Sequence, residues 1–285
     1  MQGNTGTRRF AALTAAMTLA LILAGGFVTT TRTGDTIPTW PKSWGHFEGG
    51  WWVEWTHRAV AGTVALLVAG LAIRLHLREP RPWVRRIGWT ALAAVLVQAL
   101  IGGLRIYVPR AAVAIVHACF GQLVFCSMVA VALFVSEAWV RTPLDETSTA
   151  ARRIGAAATF FAFLQLVAGA VTRHTGAGLA VHLVGAGGVL LFVTLFASRL
   201  MLTPLRRGAG LLAAILGIQI LLGLATWAIT SGGFVRSHES PLISIVTVSS
   251  HVAVGAALLA TSLAVTLMCH RGTVAAPVTL EAARA

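Results

Sequence analysis

Apolar residues along this chain gather into eight long runs, at roughly 10–30, 52–76, 86–104, 111–138, 152–172, 178–201, 208–230 and 246–269. Each approaches the ~20 apolar residues that a helix needs to cross about 30 Å of hydrocarbon. Within a bilayer every backbone N–H and C=O must be satisfied internally, which leaves helices and closed barrels. Barrel strands alternate with period two, and these runs do not. The pattern therefore predicts an all-α membrane protein of eight transmembrane helices. Glu79-Pro80-Arg81-Pro82 and Thr142-Pro143-Leu144-Asp145-Glu146 carry turn chemistry and sit on the side of the N-terminus. On the other side, 31–51 and 231–245 are long connections, and 105–110 and 173–177 are short ones.

Composition agrees with this pattern. Of 285 residues, 56% are hydrophobic and only 11% are charged, against roughly 25% charged in a soluble domain. The formal charge of +13 would suggest nucleic acid in a soluble chain. Here its placement explains it, and no nucleic-acid partner is expected. Fifteen of the 22 basic residues, Arg8, Arg9, Arg74, Arg78, Arg81, Arg85, Arg86, Arg141, Arg152, Arg153, Arg199, Arg206, Arg207, Arg271 and Arg284, fall on the side of the N-terminus. Lys and Arg accumulate in cytoplasmic loops, so both termini are predicted to be cytoplasmic. The first run follows Arg8-Arg9 and resembles a signal-peptide core. Ala11 to Thr30 is long enough to span, however, and it reads as a retained first helix. Cys119, Cys126 and Cys269 lie within or at the end of apolar runs and read as small buried residues, not as a disulfide framework.

A repeat runs through the spans. Gln-x-x-x-Gly recurs near the outer ends of the odd ones: Gln98 to Gly102, Gln165 to Gly169 and Gln219 to Gly223. The first span keeps the glycine, Gly25, with Leu21 in the glutamine place. Each even span carries one outer-end histidine: His57, His117, His182 and His251. Gly62 and Gly187 follow five residues after His57 and His182, whereas Gly121 and Gly255 follow four after His117 and His251. The chain therefore reads as two tandem, pseudo-symmetric four-helix bundles, 1–140 and 141–285, running in the same sense.

Each half then offers two intramembrane histidines at similar depth. A helical bundle builds cofactor sites from facing side chains in its core, and two facing imidazoles suit a bis-histidine haem. Gly62, Gly121, Gly185, Gly187, Gly188 and Gly255 would make room for a flat macrocycle, or would serve close helix packing. The halves differ beside the first histidine. Glu54, His57 and Arg58 share one helix face, while Leu179 and Leu183 stand where Glu54 and Arg58 would recur. A carboxylate and a guanidinium at the edge of a span mark a functional site, or else an ion pair that anchors the helix. The first half reads as a reaction site and the second as an electron-transfer haem. Other readings are a di-haem b cytochrome working between quinol and a partner, and a non-catalytic haem-binding assembly protein.

Glu54-Trp55-Thr56-His57-Arg58, Ile37-Pro38-Thr39-Trp40-Pro41, Arg173-His174-Thr175 and the four histidines together resemble the haem A synthase family, over nearly the whole chain. That resemblance implies a multi-pass oxidoreductase of the bacterial plasma membrane, embedded in lipid, that supplies terminal oxidases. It would oxidise the C8 methyl of haem O to a formyl group, with haem O delivered by haem O synthase. It implies that His57 and His117 flank the substrate haem, that His182 and His251 ligate a resident haem b, and that Glu54 is the essential acidic residue, expected to handle protons. Arg58, Arg105 and Arg110 are candidates to pair with haem propionates, with snorkelled loop charge the simpler role for the last two. Trp40 reads as part of an interfacial aromatic belt or as a lid. Family members often carry outer-loop cysteines, and 31–51 and 173–178 contain none. The sequence leaves a homo-oligomer open.

Overall fold

The computed structural model describes residues 5–43, 49–141, 148–230 and 241–271, and within them the regular structure is entirely helical. The helices are α1 (Thr5–Thr31), α2 (Trp51–Arg78), α3 (Pro82–Tyr107), α4 (Ala111–Phe134), the short α5 (Glu137–Arg141), α6 (Thr149–Thr175), α7 (Leu179–Leu200), α8 (Arg206–Thr230) and α9 (Pro241–His270). All but α5 are long and apolar enough to cross a membrane. The turn at Thr142–Glu146, Trp44, His46, Arg236, His238 and Arg284 lie outside the described residues.

One predicted span is corrected. The fourth apolar run does not continue to 138 as one helix, because α4 ends at Phe134. The Ser136 hydroxyl donates to the Leu133 carbonyl at 2.6 Å and accepts from the Trp139 amide at 3.1 Å. It closes one helix and opens the next, as short hydroxyl side chains do at helix ends.

Within α1–α4 each helix packs on the next and α1 closes on α4; α6–α9 repeat this arrangement. The two sets are also joined. α1 packs on α9, and α4 packs on both α6 and α9. The joint has its own apolar cluster of Phe125, Cys126, Ala162, Ala256, Leu259 and Ala260. It also has a polar seam. A Cβ on Gly26 would lie 2.9 Å from Cβ of Ser249, so α1 and α9 approach closely there. Arg173 of α6 donates to the Gly26 carbonyl at 2.9 Å and to the Thr30 hydroxyl at 2.6 Å, which lies 3.3 Å from that of Ser249.

The link between α6 and α7 is only three residues, and Gly176 (φ 73) and Gly178 (φ 87) take the positive φ values it needs. This tight link holds α6 and α7 as antiparallel neighbours and brings Gly169 level with His182. At the other end of the bundle, arginines bind helix-end carbonyls: Arg81 that of Phe134 at 2.9 Å, Arg152 that of Cys269 at 3.1 Å, and Arg271 that of Val140 at 2.8 Å. Arg8 pairs there with Glu137. Leu66, Leu77, Val184 and Leu221 are exposed on the flanks, as a lipid-facing surface requires.

Candidate functional site

All four histidines lie near the N-terminal ends of α2, α4, α7 and α9, away from those arginines. Each ring rests on a glycine of the preceding helix. A Cβ added to Gly25, Gly102, Gly169 or Gly223 would come within 3.2, 2.9, 3.0 or 3.1 Å of Cε1 of His57, His117, His182 or His251 respectively. The repeat in the sequence is therefore a physical contact, because a side chain at the glycine would crowd the ring. Each ring also lies within attractive reach of the carbonyl one turn before that glycine, on Leu21, Gln98, Gln165 or Gln219. Metal-binding histidines commonly turn their second nitrogen to such a carbonyl. Nδ1 of His57, His182 and His251 is buried and has no partner in strict hydrogen-bond geometry among the described residues.

The glutamine side chains reinforce these notches. Nε2 of Gln98 donates to the His117 carbonyl at 3.0 Å, and Nε2 of Gln165 donates to that of His182 at 2.8 Å. The Gln219 amide packs on Gly255, where a Cβ would sit 3.1 Å from Nε2. Of the two roles these glycines could serve, the contacts show close packing at four of the six positions. Gly121, Gly185 and Gly255 admit glutamine amides and Gly188 admits the Phe161 ring, while Gly62 and Gly187 face open space.

Glu54 is buried in α2 at 4% exposure. Its Oε2 accepts from the Thr36 hydroxyl at 3.0 Å and from the Ile37 amide at 2.9 Å. Its Oε1 accepts from Nε and Nη2 of Arg58 at 3.1 and 2.5 Å. Arg58 spends its remaining donors on the carbonyls of Ile37 (2.9 Å) and Thr39 (2.6 Å) and on the Ser43 hydroxyl (3.2 Å). The pair thus pins residues 36–43 across the outer end of the first half. Ile37 is fully buried. Trp40 lies in the notch left by Gly103, where a Cβ would fall 2.5 Å from the indole, and the Tyr107 hydroxyl donates to its carbonyl at 2.9 Å. Trp40 therefore plugs the notch at Gly103, closer to the lid than to the belt.

These contacts sort the arginine candidates. Arg58 donates to Glu54 and to the loop carbonyls of Ile37 and Thr39. Arg110 is exposed at the start of α4 and keeps the role of a loop charge. Arg105 lies beneath the loop, with Nη2 3.3 Å from a Cβ built on Gly34, and within electrostatic reach of His57, His117 and His174. It has no hydrogen-bond or ion-pair partner among the described residues. His174 was given no role from sequence. It lies in the last turn of α6, in the second half, yet within electrostatic reach of Arg105 and His117 of the first. Its place depends on how the halves join, and no local spacing carries that information.

The residues fit paired haem ligation. The rings of His182 and His251 have centroids 6.4 Å apart and planes at 86°. A pair of imidazoles at this separation would hold a haem iron between them. No group of three or more His, Cys, Asp or Glu gathers as a metal site among the described residues. Fold and site together define a multi-pass helical membrane protein whose two halves each carry a pair of intramembrane histidines. A family model described as cytochrome oxidase assembly protein, COX15-CtaA, matches residues 43–186. That is half of the chain, and the protein belongs to this family, the haem A synthase family. The matched region contains Glu54, His57, His117 and His182 and stops before His251. No curated protein matches the sequence.

Proposed function

We propose that this protein is a haem A synthase in the strict sense, an oxidoreductase that converts the C8 methyl of haem O to a formyl group for terminal oxidases. The observation that carries this reading is the asymmetry of the halves. The first histidine pair lies under a pinned loop and within electrostatic reach of Arg105, an arginine without an acceptor among the described residues, while the second has neither Glu54 nor Arg58 in its repeat-related places. A covered site with a seat for an anion suits a substrate that must be oriented. In this reading His57 and His117 hold haem O, and Arg105 binds a propionate as a charge-assisted hydrogen-bond donor. His182 and His251 hold haem b, which supplies one-electron redox chemistry when bound. Trp40 and the loop limit water at the site.

Glu54 takes a different part from the one expected of it. A general base needs a lone pair directed at its substrate, and both Glu54 oxygens are turned to Arg58, Thr36 and Ile37. It is a positioning residue that holds the loop. In the same reading the termini are cytoplasmic, the membrane is the bacterial plasma membrane, and haem O arrives from haem O synthase. The test is expression with a source of haem O, followed by extraction and chromatography of the haems. Haem A in the protein-dependent fraction is expected. Haem b with unconverted haem O would overturn the reading in favour of a di-haem cytochrome.

A further inference from the structure

The four histidine notches differ at one position. In α3, α6 and α8 the residue whose carbonyl faces the ring is a glutamine, and its amide reaches the next helix at His117, His182 or Gly255. In α1 that residue is Leu21. The opposing position has changed with it. Gly185, three residues after His182, receives the Gln165 amide, whereas three residues after His57 stands Val60. Leu21 and Val60 both pack into the apolar cluster around Val64 and Val68. A polar brace in one half is an apolar contact in the other. His57 is thus the ring whose notch carries no glutamine amide.

We propose that His57 is the exchangeable ligand of the chain, through which substrate haem is taken up and product haem released, and that Leu21 and Val60 are the positioning residues that make it so. This rests on the haem-binding reading above. An amide bonded to the carbonyl of a ligand histidine fixes the stretch of helix that carries the ring. Such outer partners are worth about 10–100-fold in metal affinity. A resident cofactor gains from a braced ligand, as His182 is by the Gln165 amide, while the Gln219 amide packs on Gly255 one turn after His251. A substrate has to leave after each turnover. One braced ligand, His117, keeps it oriented, and one unbraced ligand, His57, lets it go.

The test measures haem release and not activity. Purified protein, loaded with haem by expression with a haem O source, is mixed with excess apomyoglobin, and transfer is followed at the Soret band. Two phases are expected, and the fast one should be absent from the His117→Ala variant. Leu21→Gln combined with Val60→Gly installs the brace and should slow the fast phase by about 10–100-fold while leaving the slow phase alone. Gln165→Leu combined with Gly185→Val removes a brace and should accelerate the slow phase by a comparable factor. If either pair fails to fold, Gln98→Leu alone should speed the fast phase further, because it leaves Gly121 as it is. Unchanged phases in the folded variants would overturn the inference. A single phase, indifferent to both His57→Ala and His117→Ala, would instead overturn the first-half haem site, and this inference with it.

Discussion

Glu54 is a carboxylate whose two oxygens both accept hydrogen bonds from the loop and from Arg58, and that decides how its loss should register. Removing one member of a buried ion pair costs about 3–5 kcal/mol, and here the cost falls on the loop that the pair holds. Glu54→Gln and Arg58→Ala should both expose the Lys42–Ser43 bond to trypsin, and both should lower haem A yield to a similar extent. If Glu54→Gln alone lost about 10²–10⁴-fold in conversion, the range for a positioned base, with the loop still resistant, Glu54 would be a proton acceptor after all. The spacing of Glu54 and Arg58 made their pairing legible in the sequence. Arg58 reaching the carbonyls of Ile37 and Thr39 was not legible, because residues 33–43 follow no period from which a path can be read. For the same reason Trp40 stayed undecided between belt and lid until Gly103 was seen beneath it.

At the scale of the helix, the glycine notches predict a graded set of losses. Gly169→Val or Gly223→Val should drive the ring of His182 or His251 out of place and remove the haem b spectrum, as His182→Ala and His251→Ala should. Gly25→Val and Gly102→Val should spare haem b and deplete haem in the first half. Pyridine haemochrome stoichiometry separates the two outcomes, and full haem b in Gly169→Val and Gly223→Val would refute the second-half ligand pair. These notches were readable because residues four apart share a helix face, so Gln-x-x-x-Gly had to act as a unit. The end of α4 was not readable. Val135 and Ser136 are as compatible with a span as their neighbours are, and the break appears only in the bonds of the Ser136 hydroxyl.

At the scale of the whole molecule, the fold class could be read from apolar run lengths, whereas the way the halves join could not. Arg173 shows the difference. From sequence it is one of seven basic residues on the outer side, and in the structure it ties α6 to α1. Hydrogen bonds from a charged donor are worth about 1.5–3 kcal/mol each, so Arg173→Ala should lower the thermal midpoint in detergent by several degrees. An unchanged midpoint would show the apolar cluster alone to be sufficient. Orientation is tested with a single cysteine at Ser43, in a background without Cys119, Cys126 and Cys269. A membrane-impermeant thiol reagent should label it in intact cells, and labelling confined to inverted vesicles would reverse the topology.

The joint between the halves carries a consequence for how such a chain could arise. If α1 is exchanged with α6, α2 with α7, α3 with α8 and α4 with α9, the set of packed helix pairs is unchanged. The α1–α9 contact becomes α6–α4, and α4–α9 maps onto itself. Those are the rules of a twofold homodimer, in which one surface patch serves both partners. The covalent link between α5 and α6 then adds proximity and no contact that the fold depends on. Two gene fragments, 1–145 and 146–285, should yield polypeptides that copurify from one membrane. A duplicated ancestor of half this length would have met its own twin across the same face.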